Sequence, residues 1–204
     1  MMRIATWRGG LLGLVVIGLV ACSTPSPSGS PSPTAAPPSA TPPAASAAAT
    51  AGVLPALEAL IPDRVGGMTL QKTSMKGSSF LASSNADASS VAFLNAIGVA
   101  PADIGVGFGY GFDASSGAGF AMFVFQAAGA DQSRLISVFT SASSQGRATP
   151  LDWQPTTVGG KSVRVATDSE EQNIKLYLYA HGDVLFVLSA TSDSVVADAL
   201  AKLP

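Results

Sequence analysis

One cysteine and one histidine stand in 204 residues, and only 12% of positions carry Asp, Glu, Lys or Arg, about half the usual share. A single cysteine excludes an internal disulfide and any Cys-paired zinc, haem or iron–sulfur centre. A single histidine, His181, limits a catalytic triad or a His-rich metal site to one imidazole. No Gly-x-Ser-x-Gly elbow marks a nucleophile among the serines. The little charge present leans acidic, so the clustered Lys and Arg that nucleic acid requires are missing, and so is a polybasic membrane-surface stretch. These deficits argue for a domain without an assembled catalytic set, cofactor or metal.

What is present begins at the N-terminus. Met1–Arg8 carries Arg3 and Arg8 and no acid, and apolar residues from Leu11 to Val20 then lead to Ala21. That apolar core is about a dozen residues, where a spanning helix takes roughly 20. Leu19-Val20-Ala21-Cys22 resembles the lipobox of bacterial lipoproteins. The resemblance covers residues 1–22 and implies that residues 1–21 are a signal peptide cut before Cys22. It further implies that the Cys22 thiol takes a diacylglyceryl group, with the new amine open to acylation by a chain such as palmitate. Two acyl chains anchor stably where one holds only marginally. The implied location is the cell envelope, anchored to the cell membrane on its extracytoplasmic side. Loss of Arg3 and Arg8 with the signal leaves nine basic residues against thirteen acidic.

Residues 22–52 are the expected lipidated cysteine and a stalk. From Ser23 to Gly52 there is no charged residue, and eight prolines fall between Pro25 and Pro43. Such a segment cannot bury enough apolar surface to offset ordering, so it reads as a disordered linker. Its reach would be about 30 Å as a coil and at most about 90 Å as polyproline II.

Residues 53–204 suffice for one domain. Within it, Ile61-Pro-Asp-Arg-Val-Gly-Gly-Met-Thr-Leu70 reads like Gln154-Pro-Thr-Thr-Val-Gly-Gly-Lys-Ser-Val163, and Ala121–Phe125 like Val184–Leu188. These matches predict an internal repeat, 61–143 and 154–204, each unit β-(α)-β-β-α. The pattern predicts a helix over 53–60, a strand over 68–74, and a helix capped by Asp87 with Val91, Leu94 and Ile97 at helical spacing. A hairpin of 104–112 and 119–127 follows, then a helix capped by Asp131. Strands over 162–167, 174–180 and 184–191 lead to a helix over 193–202. The expected class is α+β, an antiparallel sheet with helices on one face.

The candidate chemistry is thin. Val158-Gly-Gly-Lys161-Ser162 ends like a phosphate loop, but Pro155 and the alternating Val163–Thr167 make it a turn before a strand. Asp168, Glu170 and Glu171 lack calcium-loop spacing and read as a solvated loop. His181 sits in a turn. Gly105, Gly107, Gly109 and Gly111 recur with period two, so they share one strand face while Val106, Phe108, Tyr110 and Phe112 share the other. A bare glycine face takes either a closely packed helix or a ligand. Tyr177 and Tyr179 also share a face and, with Trp153, would form an aromatic surface, Leu176 and Leu178 then facing the helices. The candidate ligand or partner surface is thus Gly105, Gly107, Gly109, Gly111, Tyr177 and Tyr179. The expectation is a non-catalytic binding or protein-interaction module tethered through Cys22, its partner an envelope protein. The rival is a carrier of a small apolar ligand such as a lipid, and a hydrolase using His181 with a serine stands third.

Overall fold

The structure is a computed structural model and describes residues 54–83, 88–170 and 174–204. The expected signal peptide, Cys22, the expected stalk and the expected cap Asp87 lie outside the described residues. A short α1 (Pro55–Glu58) leads to the strands β1 (Arg64–Val65), β2 (Met68–Thr69) and β3 (Gln71–Lys76), then to α2 (Gly77–Leu81) and α3 (Ala88–Ala96). The hairpin β4 (Ile104–Asp113) and β5 (Ala118–Ala127) precedes α4 (Gln132–Ala142). The strands β6 (Gln154–Val158), β7 (Lys161–Asp168), β8 (Ile174–His181) and β9 (Val184–Ala190) then lead to α5 (Asp193–Lys202). Seven strands form one antiparallel sheet in the order β3-β4-β5-β9-β8-β7-β6, and β1–β2 is a separate ribbon.

The class is α+β, with local signals acting as the sequence predicts. Asp131 accepts from the backbone of Ser133 and Arg134 at 2.9 and 3.2 Å, satisfying donors at the start of α4. Gly-Gly follows β6 and closes a hairpin with β7, so Lys161-Ser162 opens a strand and no phosphate loop forms.

The expectation of helices on one face needs correction, because they cover both. Phe120, Met122 and Val124 of β5 and Phe186 and Leu188 of β9 face α5, α1 and the β1–β2 ribbon. Phe125 of β5 and Leu185 and Val187 of β9 face the opposite layer, built from α2, α3, α4 and residues 151–153. Strands β8 and β9 carry unbroken buried runs, and a strand buried on both faces needs two cover layers.

The glycines of β4 set how closely the first layer approaches. A Cβ on Gly105 or Gly107 would stand 3.1 to 3.3 Å from Leu57; on Gly109 it would stand 2.6 Å from Ile61 Cγ2, and on Gly111 2.8 Å from Leu70. The period-two glycines let Leu57, Ile61 and Leu70 rest almost on the backbone.

Two glycine turns hold α5. Gly66-Gly67 and Gly159-Gly160 all have positive φ, between 55° and 82°, as two-residue hairpins of the type I′ kind require. In each turn the first glycine abuts α5: an added Cβ would meet Val195 at 2.9 Å from Gly66 and the Ala197 carbonyl oxygen at 2.7 Å from Gly159. The second glycine of each faces open space. The paired Gly-Gly segments thus occupy matching places against one helix.

The strands of the two proposed units are mirrored about β5 and β9, which pair from Phe120↔Ala190 to Gln126↔Val184. This continuous ladder leaves no cleft at the junction. A twofold normal to the sheet exchanges two antiparallel strands without changing faces, whereas the 63-residue shift between Ala121–Phe125 and Val184–Leu188 swaps them. The helices obey the shift: α4 and α5 emerge on opposite faces. The order is mirrored, but no rotation relates the two units helix for helix.

Gly109→Ala is expected to cost about 1–3 kcal/mol, the range for overpacking a fitted core, and Gly107→Ala less. In a Gly109→Ala, Ile61→Ala double variant the two losses should fall short of additive by more than about 0.5 kcal/mol. Urea unfolding measures this, and strict additivity would show that the glycine makes no room for Ile61.

Candidate functional site

The structure places none of the six expected surface residues where a partner meets a broad exposed face. Tyr177 and Tyr179 are 3% and 8% exposed, under α5. The Tyr177 hydroxyl donates to Asp193 at 2.6 Å, and that of Tyr179 to the Pro204 main-chain oxygen at 2.6 Å. Leu176 and Leu178 do face helices, but so do the tyrosines, because the sheet is sandwiched. Trp153 is also core: it donates to Ser143 Oγ at 3.1 Å and meets Phe139 edge-on. Of the glycines, Gly107, Gly109 and Gly111 lie beneath Leu57, Ile61 and Leu70.

Gly105 also lines a half-open groove of about 320 Å³, with Leu54, Leu57, Lys76, Asp103 and Gln126 among its walls. Lys76 and Asp103 are exposed, so the groove opens to water and is no enclosed apolar chamber.

The acidic loop is only partly solvated, against expectation. Asp168 is fully buried and forms an ion pair with Arg147, whose side chain is itself buried. Glu170 lies 3.9 Å from the same guanidinium and accepts from the Thr149 backbone at 2.8 Å. The pair ties residues 147–149 to the end of β7. His181 is exposed at the β8–β9 turn, and among the described residues no hydrogen bond joins it to a serine. No group of three or more His, Cys, Asp or Glu among the described residues is arranged to hold a metal.

The exposed aromatic feature lies on the other face of the glycine strand. Along β4, exposure rises towards the turn: Val106 is buried, Phe108 half-buried, Tyr110 52% exposed and Phe112 71% exposed. Phe80 of α2 and Phe123 of β5 pack on Phe108, where cover by the helical layer ends. Tyr110 pairs across the strands with Gln71 and Ala121, and Phe112 with Gly119. The Tyr110 hydroxyl donates to Gln71 Oε1 at 2.6 Å. The Phe112 ring leans over Gly119, 3.7 Å from where its Cβ would be, with the Thr191 methyl equally close. Asp113 ends the strand on the glycine side. Hydrogen bonds from Ser116 and Ser115 hold its carboxyl down at about 2. Two rings therefore lie on a floor of small neutral residues. The sequence carried the signal: the alternation that put glycines on one side put aromatics on the other, and the covered side is the glycine side.

Replacing Arg147 with Ala leaves Asp168 buried without its counter-charge, which is expected to cost about 3–5 kcal/mol in chemical denaturation. A loss under 1 kcal/mol would assign the pair no structural role.

Asp193 and Asp198 tie α5 down. The hydrogen bond from Lys175, then that from Tyr177, lowers the Asp193 carboxyl; those from Lys202 and the Gly66 backbone lower Asp198. Burial, with Asp193 beside it, pushes the Tyr177 phenol up. Carboxyls depressed in the folded state add stability that is complete above their ordinary value of 3.8 and lost as pH falls through the lowered values. Stability should therefore fall as pH drops below about 4, and Asp198→Asn should flatten that fall; an unchanged acid limb would remove Asp198 from the clasp.

Compared with protein-family models, curated proteins and solved structures, the chain finds no match in any of the three.

Proposed function

We propose that this protein is a lipid-anchored cell-envelope lipoprotein whose domain is a non-catalytic binding module, and that the module binds through the Tyr110–Phe112 corner of its sheet. The observation that carries this reading is the exposure of two large aromatic rings, side by side on one strand, in a domain whose central strands are covered on both faces. Large exposed apolar side chains that neighbour one another mark interaction sites more often than scattered ones do. The anchor follows from Cys22 and its lipobox-like context. Among the described residues no helix is long and apolar enough to cross a membrane, and the reading assigns membrane attachment to the acyl chains.

The alternative, a carrier of an apolar ligand, finds its place in the groove beside Gly105, where Leu54 and Leu57 supply an apolar wall. The exposed Lys76 and Asp103 on that groove let water in, which weakens retention of a lipid. The binding module is therefore preferred.

A photo-crosslinking amino acid at position 112 of the full chain, expressed in cells, tests the reading. It should capture an envelope component, whereas the same group at Thr157 on the sheet's far edge should not. With Cys22→Ser the chain should leave the membrane fraction and lose the capture. Equal labelling from both positions would refute the corner as the binding surface.

A further inference from the structure

Resting on the reading of Tyr110 and Phe112 as the binding surface, we infer that their ligand is a neutral carbohydrate, stacked by its apolar ring faces on the two side chains. Three features of the corner select this chemistry.

The first is area. An aromatic side chain of this kind carries roughly 150–250 Å², so rings 52% and 71% exposed offer on the order of 250 Å² together. A stable protein interface takes about 800 Å² from each partner, of which these two rings alone supply about a third. A saccharide of two or three rings is covered by a surface of this size.

The second is charge. The side chains on the aromatic face around the rings are Gln71, Thr73, Ala121, Ser189 and Thr191, all neutral. Asp113 belongs to the opposite face by strand alternation and is engaged by Ser115 and Ser116. Among the described residues, none of these neighbours offers a cation for a phosphate or carboxylate, or an anion for a basic peptide. Hydroxyl and amide groups beside aromatic rings match a ligand that is all hydroxyls around its edge.

The third is shape. Tyr110 and Phe112 are two residues apart on one strand, so they lie about 7 Å apart along it. Each is backed across the ladder by a small residue, Ala121 or Gly119. Small residues thus floor the rings and leave their faces unobstructed from that side. The negative face of an aromatic ring attracts positively polarised hydrogens, and a pyranose presents such C–H groups on its flat side. Tyr and Phe also lose few rotatable bonds when they are covered, which limits the entropic cost.

Affinity electrophoresis of the full-length protein in detergent tests the inference, with hydroxyethylcellulose, glycol chitin and galactomannan as the neutral polymers in separate gels. At least one polymer should retard the protein. Phe112→Ala and Tyr110→Ala, which alter exposed side chains, should each weaken retardation at least tenfold in half-saturating polymer concentration, and Val91→Ser on the exposed face of α3 should leave it unchanged. Migration unaffected by all three polymers, or retardation unchanged in Phe112→Ala, overturns the carbohydrate assignment. The crosslink at position 112 separates this failure from failure of the surface itself: capture of a protein there retains the corner and rejects the sugar, and absence of capture rejects both.

Discussion

Central strands that are apolar on both sides must be covered on both sides, and the layering of this domain follows from that requirement. The central strands β5 and β9 supply the constraint, since alternate residues of each enter different cores. Burying a large aliphatic or aromatic side chain is worth about 1.5–3 kcal/mol, so a bare face on either strand would forfeit several such gains. The chain meets the requirement with the helices that follow these two strands, α4 and α5, sent to opposite faces. The outer strands β3 and β4 receive their cover from α1 on one side and α2 on the other.

The first layer has little to work with near β4, because α1 is a single turn. Leu57, Ile61 and Leu70 cover the strand there by direct approach to the glycine backbone. Glycine costs strand stability, and here the cost is offset by packing that no side chain would permit. The same alternation puts the large residues of β4 on the second face, where α2 reaches Phe108 and goes no further. Tyr110 and Phe112 are thus exposed for a geometrical reason. A strand ten residues long extends past a helix of five, and its alternation fixes which side chains the overhang displays.

Local structure was legible in the sequence wherever a short-range device specified it. Asp131 capped its helix, Asp113–Gly117 turned its hairpin, and Asp193–Lys202 formed a helix with the expected bounds. The placement of that helix was less legible. Unbroken apolar runs such as Val184–Leu188 fit a strand buried on both faces, and assigning the helices to one face left Tyr177 and Tyr179 exposed when both lie under α5. The Arg147–Asp168 pair joins residues 21 apart whose charges read locally as solvated loops, and no periodicity announces it. The short strands β1 and β6 escaped because each is paired only across a Gly-Gly turn. The glycine series left its face open to either a closely packed layer or a ligand, and Leu57, Ile61 and Leu70 fill it.

The β6 edge of the sheet offers little to strand pairing, which leaves a face for the proposed binding. On β6, the Gly159-Gly160 turn sets the pairing, so that Gln154, Thr156 and Val158 point their donors inward to β7 and Pro155 and Thr157 point outward. Pro155 has no donor, which leaves Thr157 with the one outward N–H of that strand and removes the regular ladder that another chain would need. On β3, Ser74 is buried and bonded to Glu58 and the Leu54 backbone, and Lys72 is held by Asp63, so α1 and the residue before β1 cover that strand's glycine-side face. Of the two edges, β6 resists strand addition through Pro155. With β6 blunted and the central strands covered on both faces, the largest exposed apolar side chains among the described residues are at the overhang of β4, beside hydroxyl and amide groups that carry no charge. A ligand that binds this domain without remodelling it meets flat rings and neutral hydrogen-bonding groups first, and that combination favours stacking over ion pairing or strand pairing.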